Sequence, residues 1–144
     1  MAEHPFPLQI RWSDLDPNFH LRHSVYYDWG AYCRMRYFDE HGLTGDVMQR
    51  LNIGPIIFRE ECVFRKEIKF GDFVTIDLLI TSARKDFSRW SLRHRIMKNE
   101  NVLAATLNLD LAWLNISERK LAMLPEEIYP VIDGMPKDAE FKWV

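Results

Sequence analysis

From residue 24 to residue 41 the chain runs the length of a helix without a proline, and apolar or aromatic side chains stand on every side of it. They include Val25, Tyr26, Tyr27, Trp29, Ala31, Tyr32, Cys33, Met35, Tyr37 and Phe38. A helix patterned in this way has no face suited to water, so the rest of the chain must cover it. Gly42 is the expected C-cap. Gly30, unfavourable inside a helix, and Ala31 let the backbone approach a sheet closely. A second short helix is expected at 46–51.

The cover is read from period-2 alternation. Leu8, Ile10 and Trp12 alternate with Gln9 and Arg11, giving a first strand that ends near Ser13. After Gly54 and Pro55 a run spans 56–64, and a Gly71-Asp72 turn introduces the alternating Val74, Ile76, Leu78 and Ile80. Trp90, Leu92, His94 and Ile96 form the next run, closed by Asn99-Glu100-Asn101. In the longest run, Leu103, Ala105, Leu107, Leu109, Leu111 and Trp113 share one face, with Ala104, Thr106, Asn108 and Asp110 on the other. Pro125-Glu126-Glu127 opens a brief C-terminal helix or turn. Long strands with short connections make an antiparallel sheet. The expected fold is α+β, one domain over 1–144, with a long central helix wrapped by a curved antiparallel sheet of about five strands. Such a sheet leaves edge strands and an outer helix face in need of partners, which predicts a homodimer or homotetramer.

With 144 residues, 47% of them hydrophobic, the chain can build a core without metals or disulfides. Cys33 and Cys62 belong to no ligand-spaced motif and read as small buried hydrophobes, so no metal site is expected. No apolar run approaches the roughly 20 residues of a membrane span, and the first residues lack the pattern of a secretion signal. The expected location is cytoplasmic, with no membrane partner. At a formal net charge of −2, with basic residues scattered along the chain, nucleic acid is not an expected partner.

Chemistry concentrates between Asp14 and Asp28. Pro17 disfavours helix at Asp16, and the turn formers around it carry the chain out of the first strand as a loop. Asp16 thereby stands beside the start of the long helix, whose free N–H groups and partial positive charge suit an oxygen that becomes anionic in a transition state. It can act as a nucleophile or as a general base on water, and both routes stay open. A lone Asp in such a loop also serves as a turn former, the stronger reading for Asp14. His20 and His23 flank the loop and can hold a water or a substrate carbonyl, while His4, His41 and His94 read as surface or packing residues.

Asp14-Leu15-Asp16-Pro17, followed by His23 and Tyr26, resembles the D-x-D-P segment of the 4-hydroxybenzoyl-CoA thioesterase family. Asp14-Leu15-Asp16-x-Asn18-x-His20, then Tyr26 and Trp29, is similar to the matching segment of plant fatty acyl-ACP thioesterases. Phe70-Gly71-Asp72, Glu118-x-Lys120 and Leu124-Pro125 resemble turns further along these enzymes. The resemblance implies a hotdog fold, hydrolysis of an acyl-CoA or acyl-carrier-protein thioester, and no metal or organic cofactor. It places the catalytic carboxylate on Asp16 and the carbonyl-polarising N–H on His23, with Asn18 and His20 matching the acyl-ACP pattern. Arg84, Lys85 and Arg89 are candidates for the CoA phosphates, or else form a solvated charged loop. Arg22 could serve the pantetheine arm or an acidic acyl group.

The chain departs from these relatives in two places. Asn18-Phe19 replaces a glycine before the helix, and Ala31 replaces a helix glutamate. Two alternatives therefore stand beside hydrolysis. One is an enoyl-CoA hydratase or dehydratase, whose D-x-N-P-x-H signature the loop approaches but misses by one residue of spacing and by Asp16 in place of Asn. The other is a non-catalytic acyl-thioester binding protein.

Overall fold

The computed structural model describes residues 4–144. The long helix, α1, spans His23–Glu40 and starts one residue earlier than expected. Its buried residues, Val25, Tyr26, Trp29, Gly30, Cys33, Arg34, Tyr37 and Phe38, recur at the three- and four-residue spacing that lines one helix face. Tyr32 and Met35, by contrast, are 46% and 47% exposed. Within one protomer the helix is thus covered on one side, and its remaining apolar residues look outward. Gly42 follows its last turn at φ 86°, where a side chain would be strained.

Gly30 is required by close approach. A Cβ there would lie 2.9 Å from Leu107 Cδ1, 3.2 Å from Arg34 Nη1 and 3.3 Å from His94 Cδ2. The second helix, α2, is Gly45–Leu51, with the Thr44 side chain capping the Val47 amide.

Among the described residues the sheet has eight strands. They are β1 (Phe6–Leu8), β2 (Ile53–Phe64), β3 (Val74–Ile76), β4 (Leu79–Ala83), β5 (Arg89–Lys98), β6 (Val102–Asn115), β7 (Lys120–Leu121) and β8 (Lys137–Trp143). β3 and β4 follow one another along the same side of β5, β1 flanks β3, and β8 flanks β4. β6 lies on the other side of β5 and pairs β2 next, with β7 extending its end. The result is about five ranks of strand curled over α1, the hotdog arrangement. A third helix, α3 (Tyr129–Asp133), follows β7.

Three details differ from expectation. The alternation of Leu8, Ile10 and Trp12 does not make one strand: β1 stops at Leu8, and Trp12 stands 74% exposed in a short 3₁₀ turn. Here Asp14 takes the Arg11 amide at 2.8 Å and its Nη2 at 2.8 Å, folding the chain back on itself. The run from Val74 to Ile80 breaks at Asp77, whose carboxylate accepts the Arg95 amide at 2.9 Å and Nη2 at 2.6 Å. Finally, β8 pairs in parallel with β4, so the sheet is not purely antiparallel.

Cys33 is fully buried and Cys62 half-buried, both as free thiols. Burial pushes both thiols up, Cys62 to about 11, which leaves them unreactive. Among the described residues no helix is long and apolar enough to cross a membrane and no metal-binding cluster occurs.

Candidate active site

The loop between the 3₁₀ turn and α1 is held at both ends. Leu21 N donates to Ile68 O at 2.7 Å and Arg22 N to Asp14 O at 2.7 Å, while Leu15 bridges Leu21 and His20 bridges Lys69. Asp14 is 1% exposed. Burial alone would push its carboxyl up, but the Arg11 fork and amide outweigh that and hold it below the usual range. Engaged in this way, Asp14 is an anchor.

Asp16 is placed by the same loop. Its Oδ1 accepts the amides of Asn18 at 2.9 Å and His20 at 3.1 Å, and its backbone N–H donates to His20 O at 2.8 Å. Oδ2 takes no hydrogen bond from a described residue. The turn-former and chemical readings of Asp16 therefore coexist, with one oxygen fixing the loop and the other unengaged. Phe19, in the Asn18-Phe19 pair that stands where the resemblance expects a glycine, adopts φ 64°, the left-handed region that glycine favours.

A cavity of about 360 Å³ opens against this loop, lined by Asp16, Asn18, His20 and His23 together with Tyr26 and Phe64. Four candidates from the sequence thus meet at one place. His23 is the first residue of α1, and the N-cap Arg22 makes no side-chain cap bond, so nothing from that side chain competes for the first amides. Arg22 reaches Ser24 Oγ at 2.8 Å and Ser13 O at 3.3 Å instead. His20 Nε2 lies 3.2 Å from Glu67 Oε2, which ties its ring to the cavity wall. Tyr26 packs edge-on against Phe64 at 4.9 Å, and burial pushes its phenol up to about 12, keeping it neutral.

The remaining wall is Leu21 together with Arg65, Lys66 and Glu67, the last three just past the end of β2. Sequence reasoning passed over the two cations, although a charged triplet directly after a predicted strand was a visible signal. Arg84, Lys85 and Arg89 are elsewhere. Arg89 pairs with Ala112 of β6, whereas Phe64 pairs with Ala105, which separates them by about seven residues, or roughly 23 Å, along the strand. Arg84 and Lys85 line a separate surface hollow with Trp143, and Arg89 stacks over Phe58 at 4.7 Å. Within one protomer these three do not join the Asp16 cavity. His94, read as a surface or packing residue, is fully buried.

Solved structures share this fold. A hypothetical protein from Staphylococcus aureus, solved in complex with CoA, aligns at TM-score 0.80 and 22% identity over 89% of this chain and 80% of that one. A 1,4-dihydroxy-2-naphthoyl-CoA thioesterase from Synechocystis aligns at TM-score 0.77 and 17% identity, covering 89% and 93%. A gentisyl-coenzyme A thioesterase aligns at 0.75 and 20%, covering 89% and 98%. No curated protein matches the sequence. A family model described as the thioesterase-like superfamily matches residues 10–132, and the chain belongs to that superfamily.

Proposed function

We propose that the protein hydrolyses an acyl-CoA thioester at the Asp16 cavity. The observation that carries this reading is the meeting of an unengaged carboxylate oxygen and the uncapped N-terminus of α1 in one cavity. The thioester carbonyl oxygen takes the His23 amide and the positive end of the helix, which stabilise the charge that develops on it. Asp16 then works in one of two ways. As nucleophile, its oxygen attacks the carbonyl carbon, the C–S bond breaks, the thiolate leaves and takes a proton, and water hydrolyses the mixed anhydride. As general base, it takes a proton from water as that water attacks the carbonyl carbon, then gives the proton to the departing thiolate as the C–S bond breaks.

Asn18 and His20 hold the carboxylate through their amides, and His23 lines the same cavity. Arg65 and Lys66 supply cations for the CoA phosphates. Arg84, Lys85 and Arg89 meet CoA only where a partner subunit brings them to a neighbour's cavity. Such a partner fits β2, which among the described strands pairs with β6 alone and carries Ile57, Phe58, Val63 and Phe64 exposed. The reading therefore includes a homodimer or a higher assembly built on that edge.

The test is a panel of saturated and 2-enoyl-CoA substrates followed for free thiol and for enoyl absorbance. Thiol release from saturated acyl-CoA is expected. Loss of enoyl absorbance without thiol would replace hydrolysis with hydration, and no turnover of either would leave a binding protein.

A further inference from the structure

Arg34 is a buried cation on α1 that the hydrolytic site does not use. It is 7% exposed, and its one hydrogen bond to a described residue runs from Nη1 to His94 Nε2 at 3.0 Å. His94 donates Nδ1 to Asp77 O at 2.9 Å, so Nε2 is the lone-pair side and the imidazole meets Arg34 as a neutral acceptor. No carboxylate of a described residue lies within the 4.0 Å of an ion pair. Glu60 on β2 is the acidic group Arg34 feels, without that contact. A guanidinium this deep with no anion is costly.

The rest of the fork is not sealed in, for Nε and Nη2 are not among the enclosed, unbonded polar atoms. Arg34 lines a cavity of about 110 Å³ with Ala31, Met35, Phe38, Pro55, Ile57 and Leu111. Every wall other than Arg34 is apolar. The Asp16 cavity and this one both lie between α1 and β2, the first at Tyr26 and Phe64 and the second at Ala31, Pro55 and Ile57. Arg34 runs back along the helix, with Nη1 beside Gly30. Its position from Gly30 to its own Cα corresponds to about 10–16 Å beyond the first residue of α1.

We propose that Arg34 binds an anionic group at the far end of the acyl chain, so that the preferred substrates are acyl thioesters bearing a terminal carboxylate. The proposal rests on the hydrolytic reading for where the thioester sits. An apolar cavity with one cation in its wall holds the end of a chain by burial and fixes its terminus by a charge-assisted, two-pronged contact that a methyl end cannot make. Arg34 is here a specificity residue, remote from the reacting atoms.

Binding separates this idea from hydrolysis. CoA thioethers carrying octanedioyl- and dodecanedioyl-derived chains with a free carboxylate are compared, by calorimetry, with methyl-ended chains of the same lengths. Wild-type protein is expected to bind at least one carboxylate-ended analogue about tenfold more tightly than its methyl-ended counterpart. Arg34→Met should abolish that difference and leave methyl-ended affinity within about threefold, while Arg34→Lys retains part of it. Equal wild-type affinities, no measurable binding of either kind, or a preference undiminished in Arg34→Met each overturn the proposal. Should Arg34→Met not fold, the wild-type comparison and Arg34→Lys decide. A carboxylate preference in a protein that releases no thiol from any acyl-CoA leaves the anion site standing and removes the hydrolytic reading.

Discussion

His94 and Asp77 are joined by a 2.9 Å contact from ring Nδ1 to backbone carbonyl, and this fixes His94 as the neutral tautomer facing Arg34. Burial first, and the Arg34 charge second, lower its pKa to about 3. The unfolded chain takes that proton near 6.5, so between pH 6.5 and 3 it binds more protons than the native state. The contribution is fully present above 6.5 and is lost as pH falls through this window. His4, lowered mainly by burial, adds in the same direction. Urea titrations should show stability falling by up to about 1.4 kcal/mol per pH unit on account of His94 between pH 6 and 4. Asp14, Asp72 and Asp86 are held below their usual value, and what they contribute is lost only below about pH 4. A flat profile from 7 to 4 would mean that His94 titrates normally in the fold.

Gly30→Ala tests the packing of α1 on the sheet. Alanine gains roughly 1 kcal/mol in helix propensity, but its methyl would stand 2.9 Å from Leu107 Cδ1, a fully buried side chain. Overpacking of this kind costs about 1–3 kcal/mol. A net loss of up to about 2 kcal/mol in urea is expected, and a gain would show that Leu107 moves aside freely.

The proposed second subunit would cover the open edge of β2 and the exposed Tyr32 and Met35 of α1. Sedimentation velocity at micromolar concentration should give a mass of at least about twice 17.2 kDa. A single species at 17.2 kDa would remove the shared-sheet assembly.

Much of this architecture was legible because it repeats locally. The α1 segment, β5 and β6 announce themselves through side-chain period, and observed bounds fall within a residue or two of the expected ones. What was hidden depends on partners distant in sequence. Asp77 breaks an alternating run by capturing Arg95, β8 has a charged, irregular sequence and exists because β4 offers an edge, and Arg34 meets His94 across the fold. The loop was half legible. The turn chemistry of Asp16 is local and readable, as was its place before the helix, whereas the contribution of Arg65 and Lys66 depends on β2 ending beside that loop. Arg84, Lys85 and Arg89 show the converse, a cluster visible in sequence that the fold carries to the other end of the sheet.

The central claim is that the Asp16 carboxylate performs the chemistry. Asp16→Asn keeps an Oδ1 able to accept the Asn18 and His20 amides, so the loop and the fold should survive the exchange. The direct measurement is thiol release from a saturated acyl-CoA by wild-type and Asp16→Asn protein, with circular dichroism as the check on folding. The wild type should turn the substrate over, and the variant, equally folded, should be slower by at least about 100-fold, the scale of losing an acid–base group. Turnover undiminished in a folded Asp16→Asn protein would contradict the account.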